Sequence, residues 1–266
     1  MSEEGSILVI VPAHDEEPRV AAVVRALVAQ GLPVLVVDDG SSDKTGEVAR
    51  AAGARVLSLR PNRGKGAALK AGFRAALGSG REAEAVDPAL PAEVEWNAIL
   101  TLDADGQHDA AEAPALIEAW ETTGADLVVG TRDYDRMPPV RRFTNTVSRW
   151  LFSRALGRRI PDNQSGYRLR SRRVAEASLS SPEQGFAFEV EEIALCVGRG
   201  YELAWVPVKT IYGTEVSDIK PWTHFVSFMR VTRRARRRMR QERRAASTSR
   251  GGEEPTPATR DRSGLG

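Results

Sequence analysis

The feature that most constrains this chain is a rhythm in its first half. Short runs of β-branched and aliphatic residues, at 7–11, 34–37, 55–59, 98–102 and 126–129, recur with longer segments of helical spacing between them. Runs of four or five apolar residues without polar alternation read as strands buried on both faces, and strands joined through helices run parallel in one sheet. The first intervening segment, 16–30, places Val20, Val23, Val24 and Leu27 at offsets 0, 3, 4 and 7 and stops at Gly31, where a helix C-terminus favours glycine. A second helix, which Ser42 or Asp43 is suited to cap, runs to Ala52, and others are expected over 65–77 and 111–121. The expected architecture is an α/β fold with a mainly parallel central sheet flanked by helices.

The rhythm breaks twice. Residues 78–95 are acidic, alanine-rich and proline-containing, and read as a surface insertion between a helix and a strand. After Gly130 a long helix is expected over 141–156, then a loop at 159–166, helices at 172–179 and 188–198, and a late strand at 201–208. From about residue 241 the composition turns to Arg, Ser, Gly, Pro and Thr without apolar periodicity, the pattern of a disordered tail. Three segments follow: a catalytic-type domain over 5–218, an amphipathic basic helix over 219–244, and a disordered tail over 245–266.

With 266 residues, 41% of them hydrophobic, the chain can bury one sizeable core but not two large ones. Its single cysteine, Cys196, excludes an intramolecular disulfide and lies in an apolar stretch that suits a packed, inert thiol. Neither a secretory leader pattern nor a run of ~20 apolar residues is present, so a cytoplasmic protein is expected, soluble or held at the inner face of a membrane without crossing it. The net charge of +2 hides an asymmetry: residues 230–244 hold nine arginines against one glutamate, net +8, leaving −6 on the rest.

Three strand ends carry the chemistry. Asp103-Ala104-Asp105-Gly106-Gln107-His108 follows a buried strand, at the carboxyl edge where open parallel sheets bind ligands. Carboxylates at alternating positions before a glycine can turn toward one divalent cation, and Mg²⁺ or Mn²⁺ suits carboxylate and phosphate oxygens. Asp38-Asp39-Gly40-Ser41-Ser42-Asp43 ends the second strand, where Asp39 can accept hydrogen bonds from a nucleobase or ribose and Gly40 lets the backbone come close. Pro12-Ala13-His14-Asp15-Glu16-Glu17 ends the first. For each, the plain alternative is an acidic turn that caps the following helix. One such end is common; capping alone does not account for Asp38 and Asp39 or for three in a row.

Together with Asn62-Arg63-Gly64-Lys65-Gly66 and Asn163-Gln164-Ser165-Gly166-Tyr167-Arg168, these segments resemble the family 2 glycosyltransferases of GT-A fold, especially the branch of dolichyl-phosphate mannose and glucose synthases. The resemblance spans about residues 5–215 in consistent order. It implies a Rossmann-like GT-A domain and a nucleotide-sugar donor, GDP- or UDP-linked. Pro12, Ala13, Glu16, Val37 and Asp39 would line the nucleoside pocket. Asp103, Ala104, Asp105 and Gln107 would surround the metal and diphosphate, with Asp103, Asp105 and Gln107 as metal ligands. Lys65 and Arg132 are anion contacts, Asp105 and Arg132 the catalytic pair, and Tyr212 and Ser217 belong to a loop closing over the donor. Asp218 stands where many relatives carry a basic residue after the serine.

The acceptor side reads less directly. Arg142 and Asn145, with Arg141, head the long helix, where side chains and N-terminal amides can bind a phosphate. A polyprenyl phosphate, dolichyl or undecaprenyl, is the implied acceptor and needs no general base. A soluble or protein hydroxyl acceptor would need one, with Asp162 and Glu189 as the candidates, and a non-catalytic nucleotide-binding scaffold is the alternative from another class. Trp222, Phe225, Val226 and Met229 form a helical stripe leading into the arginines, which suits an anionic membrane surface or packing against the body. No nucleic-acid partner is expected, because aromatic residues are not interleaved with the arginines, and the sequence leaves the oligomeric state open.

Overall fold

The computed structural model describes residues 6–91, 94–133, 139–209 and 228–237; of residues 83, 84 and 139–141 it describes only the backbone. In chain order the elements are β1 (Ile7–Ala13), α1 (Glu17–Val28), β2 (Val34–Asp39), α2 (Thr45–Ala51), β3 (Arg55–Leu59), α3 (Lys65–Ala76), α4 (Arg81–Glu84), β4 (Val86–Asp87), β5 (Ala98–Thr101), α5 (Ala113–Thr123), β6 (Leu127–Thr131), α6 (Pro139–Leu156), β7 (Arg168–Ser171), α7 (Arg172–Ser178), α8 (Ala187–Gly198) and β8 (Leu203–Pro207). A last described helix covers residues 228–237.

The strands form one sheet in the order β4-β3-β2-β1-β5-β7-β6-β8. β1, β2, β3 and β5 pair in parallel, as do β6 and β8. The chain begins in the middle, winds outward through β2 and β3, and returns to lay β5 on the other side of β1. That reversal opens a crevice beyond the carboxyl ends of β1 and β5. Successive residues feed opposite faces: Val9 and Val11 pack with α1 and α5, while Leu8 and Ile10 pack under α3. A third cluster joins β6 and β8 to α6, α8 and helix 228–237 through Phe152, Ile193, Phe228 and Val231. Cys196 is buried within it, and burial pushes its thiol above the ordinary range, as expected of a packed, inert cysteine.

Two features depart from the sequence expectations. The 78–95 segment is more than a surface insertion, because β4 within it pairs antiparallel with β3 and Val86 is buried. More consequential is β7, absent from the expected strands, which lies antiparallel between β5 and β6. Its Arg-Leu-Arg-Ser sequence reads as surface, yet Arg168 and Arg170 are both 0% exposed. They share Glu192 of α8: Arg168 Nη1 donates to Oε2 at 3.1 Å, and Arg170 Nε to Oε1 at 2.9 Å. Ser178 donates to the same carboxylate, and the Arg170 guanidinium lies 4.8 Å from the centre of the Phe73 ring. Burial alone would raise the pKa of Glu192, but the two guanidinium groups override it and hold the carboxyl below its ordinary range.

The apolar stripe expected over 222–229 is described only in part. Trp222, Phe225 and Val226 lie outside the described residues, as do Tyr212, Ser217 and the tail. Met229 packs on the third cluster beside the buried Phe228, Val231 and Ala235. Arg234 reaches Glu183 at 3.1 Å and Glu191 at 3.3 Å, so residues 228–237 lie against the body.

Removing one member of a buried ion cluster strands the charges that remain. We therefore expect Glu192→Ala to lower unfolding free energy by about 3–5 kcal/mol in denaturant titration, and Ser178→Ala by about 1 kcal/mol. Equal small losses for both would show that the two arginines do not depend on Glu192.

Candidate active site

The crevice is stitched from the loops that leave β1 and β2. Asp15 stands in the left-handed region at φ 54°, where an aspartate is tolerated better than most residues. Its amide donates to Ser41 Oγ at 3.0 Å, and its carboxylate accepts from the Ser42 amide at 2.7 Å, which holds its pKa below the ordinary range. The Glu16 amide donates to Thr45 Oγ1 at 2.8 Å, and the Glu17 amide to Asp43 at 3.1 Å. Two of the acidic strand ends therefore lock each other, and their plain structural reading accounts for more than the sequence suggested. Asp38 closes its own turn by accepting from the Ser41 amide. The buried Asp39 accepts from the amides of Arg63 and Gly64, at 2.9 and 2.7 Å, and so fixes the loop that starts α3. Gly40, at φ 73°, has no room for a side chain, since a Cβ would fall 2.7 Å from the Asn62 nitrogen.

That loop delivers Lys65, the first residue of α3. Its Nζ lies 2.6 Å from Asp103 and 2.8 Å from Glu189. Burial disfavours the charged ammonium, but the two carboxylates outweigh it and keep the lysine protonated well above its usual range. Asp103 follows β5 and is only partly exposed; burial would raise its pKa, and Lys65, followed by His108 and Arg132, lowers it below the ordinary range. Among the described residues Asp105 makes no ion pair. Burial and the charge of Asp103 push it up to about 6, although its carboxylate accepts the Gln107 amide at 2.9 Å. His108 is buried against Tyr167, and burial depresses it to about 4, so the ring is neutral at pH 7.

The floor of the site is Gly166. A Cβ there would come within 2.6 and 2.9 Å of the Asp103 oxygens and 2.9 Å from Glu189, so only glycine allows the carboxylates to converge. Thr101 Oγ1 donates to the Gly166 carbonyl at 2.9 Å and accepts from Arg170 at 3.2 Å, which ties the floor to the buried arginines.

Among the proposed site residues, Lys65, Asp103, Asp105 and Gln107 come together, with Arg132 near enough to act on Asp103. Arg132 itself makes a bidentate contact with Asp162, at 2.8 and 2.9 Å. Asp162 is fully buried; burial would raise its pKa, but Arg132 holds it below the ordinary range, so it is a poor proton acceptor. Glu189, the other candidate base, is brought by α8 to Lys65. Pro12 and Ala13 end β1, buried, beside Val37 and Asp38. The side chains of Val37 and Ala104 are packed in the core, as is that of Ala13. Glu16 reaches Arg19 at 2.7 Å. Arg142 and Asn145 sit on the first turns of α6, the one exposed and the other half-buried.

Among the described residues no three His, Cys, Asp or Glu side chains form a ready metal cage. The arrangement still fits a divalent cation that takes one or two carboxylates and completes its shell with phosphate oxygens and water. Asp103 and Asp105 repel each other strongly enough to shift Asp105, a strain that a bound cation would relieve.

The comparison with known proteins decides the family. A family model described as glycosyl transferase family 2 matches residues 8–179. The chain belongs to that family. It is 32% identical over 220 residues to the polyprenol monophosphomannose synthase of Mycolicibacterium smegmatis, covering 76% of each chain. It is 31% identical over 232 residues to the undecaprenyl-phosphate mannosyltransferase of Micrococcus luteus, covering 80% of this chain and 86% of that one. Among solved structures, glucosyl-3-phosphoglycerate synthase from Mycobacterium tuberculosis, in complex with Mn²⁺, UDP and glucosyl-3-phosphoglycerate, superposes with a TM-score of 0.64 at 20% identity, over 88% of this chain and 80% of that one. The mainly parallel sheet is thus the GT-A sheet of the glycosyltransferases, and the chain is a glycosyltransferase.

The raised Asp105 has a sign that can be tested. Its folded pKa of about 6 exceeds the ordinary 3.8, so it favours the fold below the ordinary value and loses that contribution as pH rises through 6. Asp105→Asn should therefore stabilise the metal-free protein at pH 7.5, on the order of 1–2 kcal/mol after allowing for solvent contact, with the gap closing toward pH 4. A thermal-melt difference of the same size at both pH values would contradict this origin of the shift.

Proposed function

We propose that this glycosyltransferase moves a hexose from a nucleotide-sugar, GDP- or UDP-linked, to a polyprenyl phosphate, with inversion at the anomeric carbon. The observation that carries the reading is the Asp103–Asp105–Lys65 cluster at the switch of a family 2 sheet. The relatives at 31–32% identity are enzymes of polyprenyl phosphates.

Asp103 and Asp105, with Gln107, would hold Mg²⁺ or Mn²⁺. When bound, that ion offsets the charge that develops on the departing nucleoside diphosphate. Lys65 supplies a second positive charge at the same edge, and Arg132, held in place by Asp162, a third. Asp39, Pro12, Ala13 and the Glu16 region surround the space for the nucleoside. The phosphate of a polyprenyl acceptor is already an oxyanion, so no residue has to remove a proton. That agrees with Asp162 being committed to Arg132 and Glu189 to Lys65. Arg142 and Asn145 are assigned to the acceptor phosphate, and Tyr212 and Ser217 to a loop over the donor.

The acceptor's chain requires contact with a membrane. Among the described residues no helix is long and apolar enough to cross one. On α6, however, Phe143, Val147 and Trp150 are 70%, 39% and 61% exposed at offsets 0, 4 and 7. Residues 139–161 contain six arginines and no acidic residue. An exposed aromatic stripe within a basic segment suits the interface of an anionic leaflet. Phe152 of α6 also packs on Phe228, which sets the exposed Arg230, Arg233, Arg236 and Arg237 on the adjacent helix. These features support peripheral attachment at the cytoplasmic face, with the exposed side of α6 as an apolar contact.

Turnover of a panel of nucleotide-sugars with undecaprenyl phosphate and Mn²⁺ should be detectable, and Asp105→Ala should reduce it on the order of 10³-fold while leaving the fold intact. Transfer only to water-soluble hydroxyl acceptors would refute the lipid reading. Sedimentation with phosphatidylglycerol vesicles should be lost in Phe143→Ser/Trp150→Ser; unchanged sedimentation would move the membrane contact elsewhere.

A further inference from the structure

Lys65 stands where an incoming cation would have to act. Its ammonium lies within 3 Å of two carboxylates that come from different elements, Asp103 after β5 and Glu189 in α8. Without it, Asp103 and Glu189 would face each other across Gly166 with their charges uncompensated by the lysine. An ammonium and a divalent cation on the same carboxylate repel each other in a partly buried site, so Lys65 competes with an incoming cation for Asp103. Metal entry is therefore favoured when Lys65 releases Asp103. Glu189 does not have to move to keep hold of it: it is buried, and its main-chain carbonyl accepts Arg168 Nη1 at 2.7 Å, while Arg168 is itself fixed by Glu192.

We infer that Lys65 is the internal counter-ion of Asp103 in the metal-free enzyme, and that Glu189 is the positioning residue that retains Lys65 when a divalent cation takes Asp103. The inference rests on the metal reading proposed above and adds a role for Glu189 that neither requires proton transfer nor depends on the acceptor. The exchange balances charge at each stage. Before it, Lys65 neutralises part of Asp103 and Glu189; after it, the cation serves Asp103 and Asp105, and Lys65 stays paired with Glu189. One of the three ammonium donors remains committed to Glu189, and the donors released from Asp103 become available to an anion arriving with the cation.

The test is a double-mutant cycle read by Mn²⁺ binding, measured by electron paramagnetic resonance on the full chain without nucleotide. Lys65→Met should tighten Mn²⁺ binding about tenfold, because it removes the competing ammonium. Glu189→Gln should weaken it about tenfold, because Lys65 then has Asp103 as its sole carboxylate partner of the two. The decisive result is the pair: in the Lys65→Met background, Glu189→Gln should change Mn²⁺ affinity less than about twofold. Should Lys65→Met not fold, Lys65→Gln carries the same expectation and keeps hydrogen-bond donors to both carboxylates. Equal weakening by Glu189→Gln with and without Lys65 would reduce Glu189 to a distant charge and overturn the inference, as would weaker binding in Lys65→Met. Absence of Mn²⁺ binding by the unaltered chain, with or without UDP, would instead remove the metal reading itself and this inference with it.

Discussion

Two arginines that see no solvent share one carboxylate at the centre of this protein, and the edge that carries the candidate site is hung from them. Arg168 donates to the carbonyls of Ser165 and Glu189, both at 2.7 Å, while Arg170 reaches Thr101, which in turn holds Gly166. The floor of the site, the strand that ends in Asp103 and the helix that carries Glu189 are thereby fixed to a single charged cluster. Burying three charges is expensive, and a packed apolar cluster of the same size is often as stable or more so. What the cluster supplies is placement. An antiparallel strand inserted between β5 and β6 needs partners from both sides, and a rigid fork-and-carboxylate geometry gives them with little slack.

The site itself is a second concentration of charge, arranged for opposite ends. Asp103 is balanced by Lys65, and Asp105 is left under strain with its pKa near neutrality. A cluster tuned that way is poorly served without a cation and well served with one, which is how a site gains affinity for a metal that arrives with its substrate. The neighbouring acidic loops do the opposite work. Asp15, Asp38 and Asp43 spend their oxygens on backbone amides, and the crevice keeps its shape because of them.

Much of this was legible in the sequence for a simple reason: parallel strands buried on both faces declare themselves as apolar runs, and the turns that follow them carry the candidate site residues. β1, β2, β3, β5 and β6 were visible in that way, as were Asp103 and Asp105. β7 was not. Strand prediction reads alternating arginines as a solvated face, and only the distant Glu192 makes them interior residues. Glu189 was legible only as a candidate general base; its pairing with Lys65 depends on a helix that begins some 80 residues after Asp103. Asp38 and Asp39 have structural partners that the sequence did not show. They looked unemployed by capping, yet both hold amides, Asp39 those of a loop more than twenty residues away. Pairings between distant segments leave no periodic trace, whereas the ends of buried strands do.

On the proposal above, the Asp103–Asp105 edge receives a divalent cation together with a nucleotide diphosphate, and Lys65 yields its place there. A crystal structure with UDP and Mn²⁺, with anomalous scattering recorded at the manganese edge, tests it most directly. One manganese peak is expected within coordination distance of Asp103 or Asp105 and the diphosphate, with Lys65 on Glu189 and off Asp103. A peak remote from both aspartates, or UDP bound with Lys65 still seated on Asp103, would contradict it.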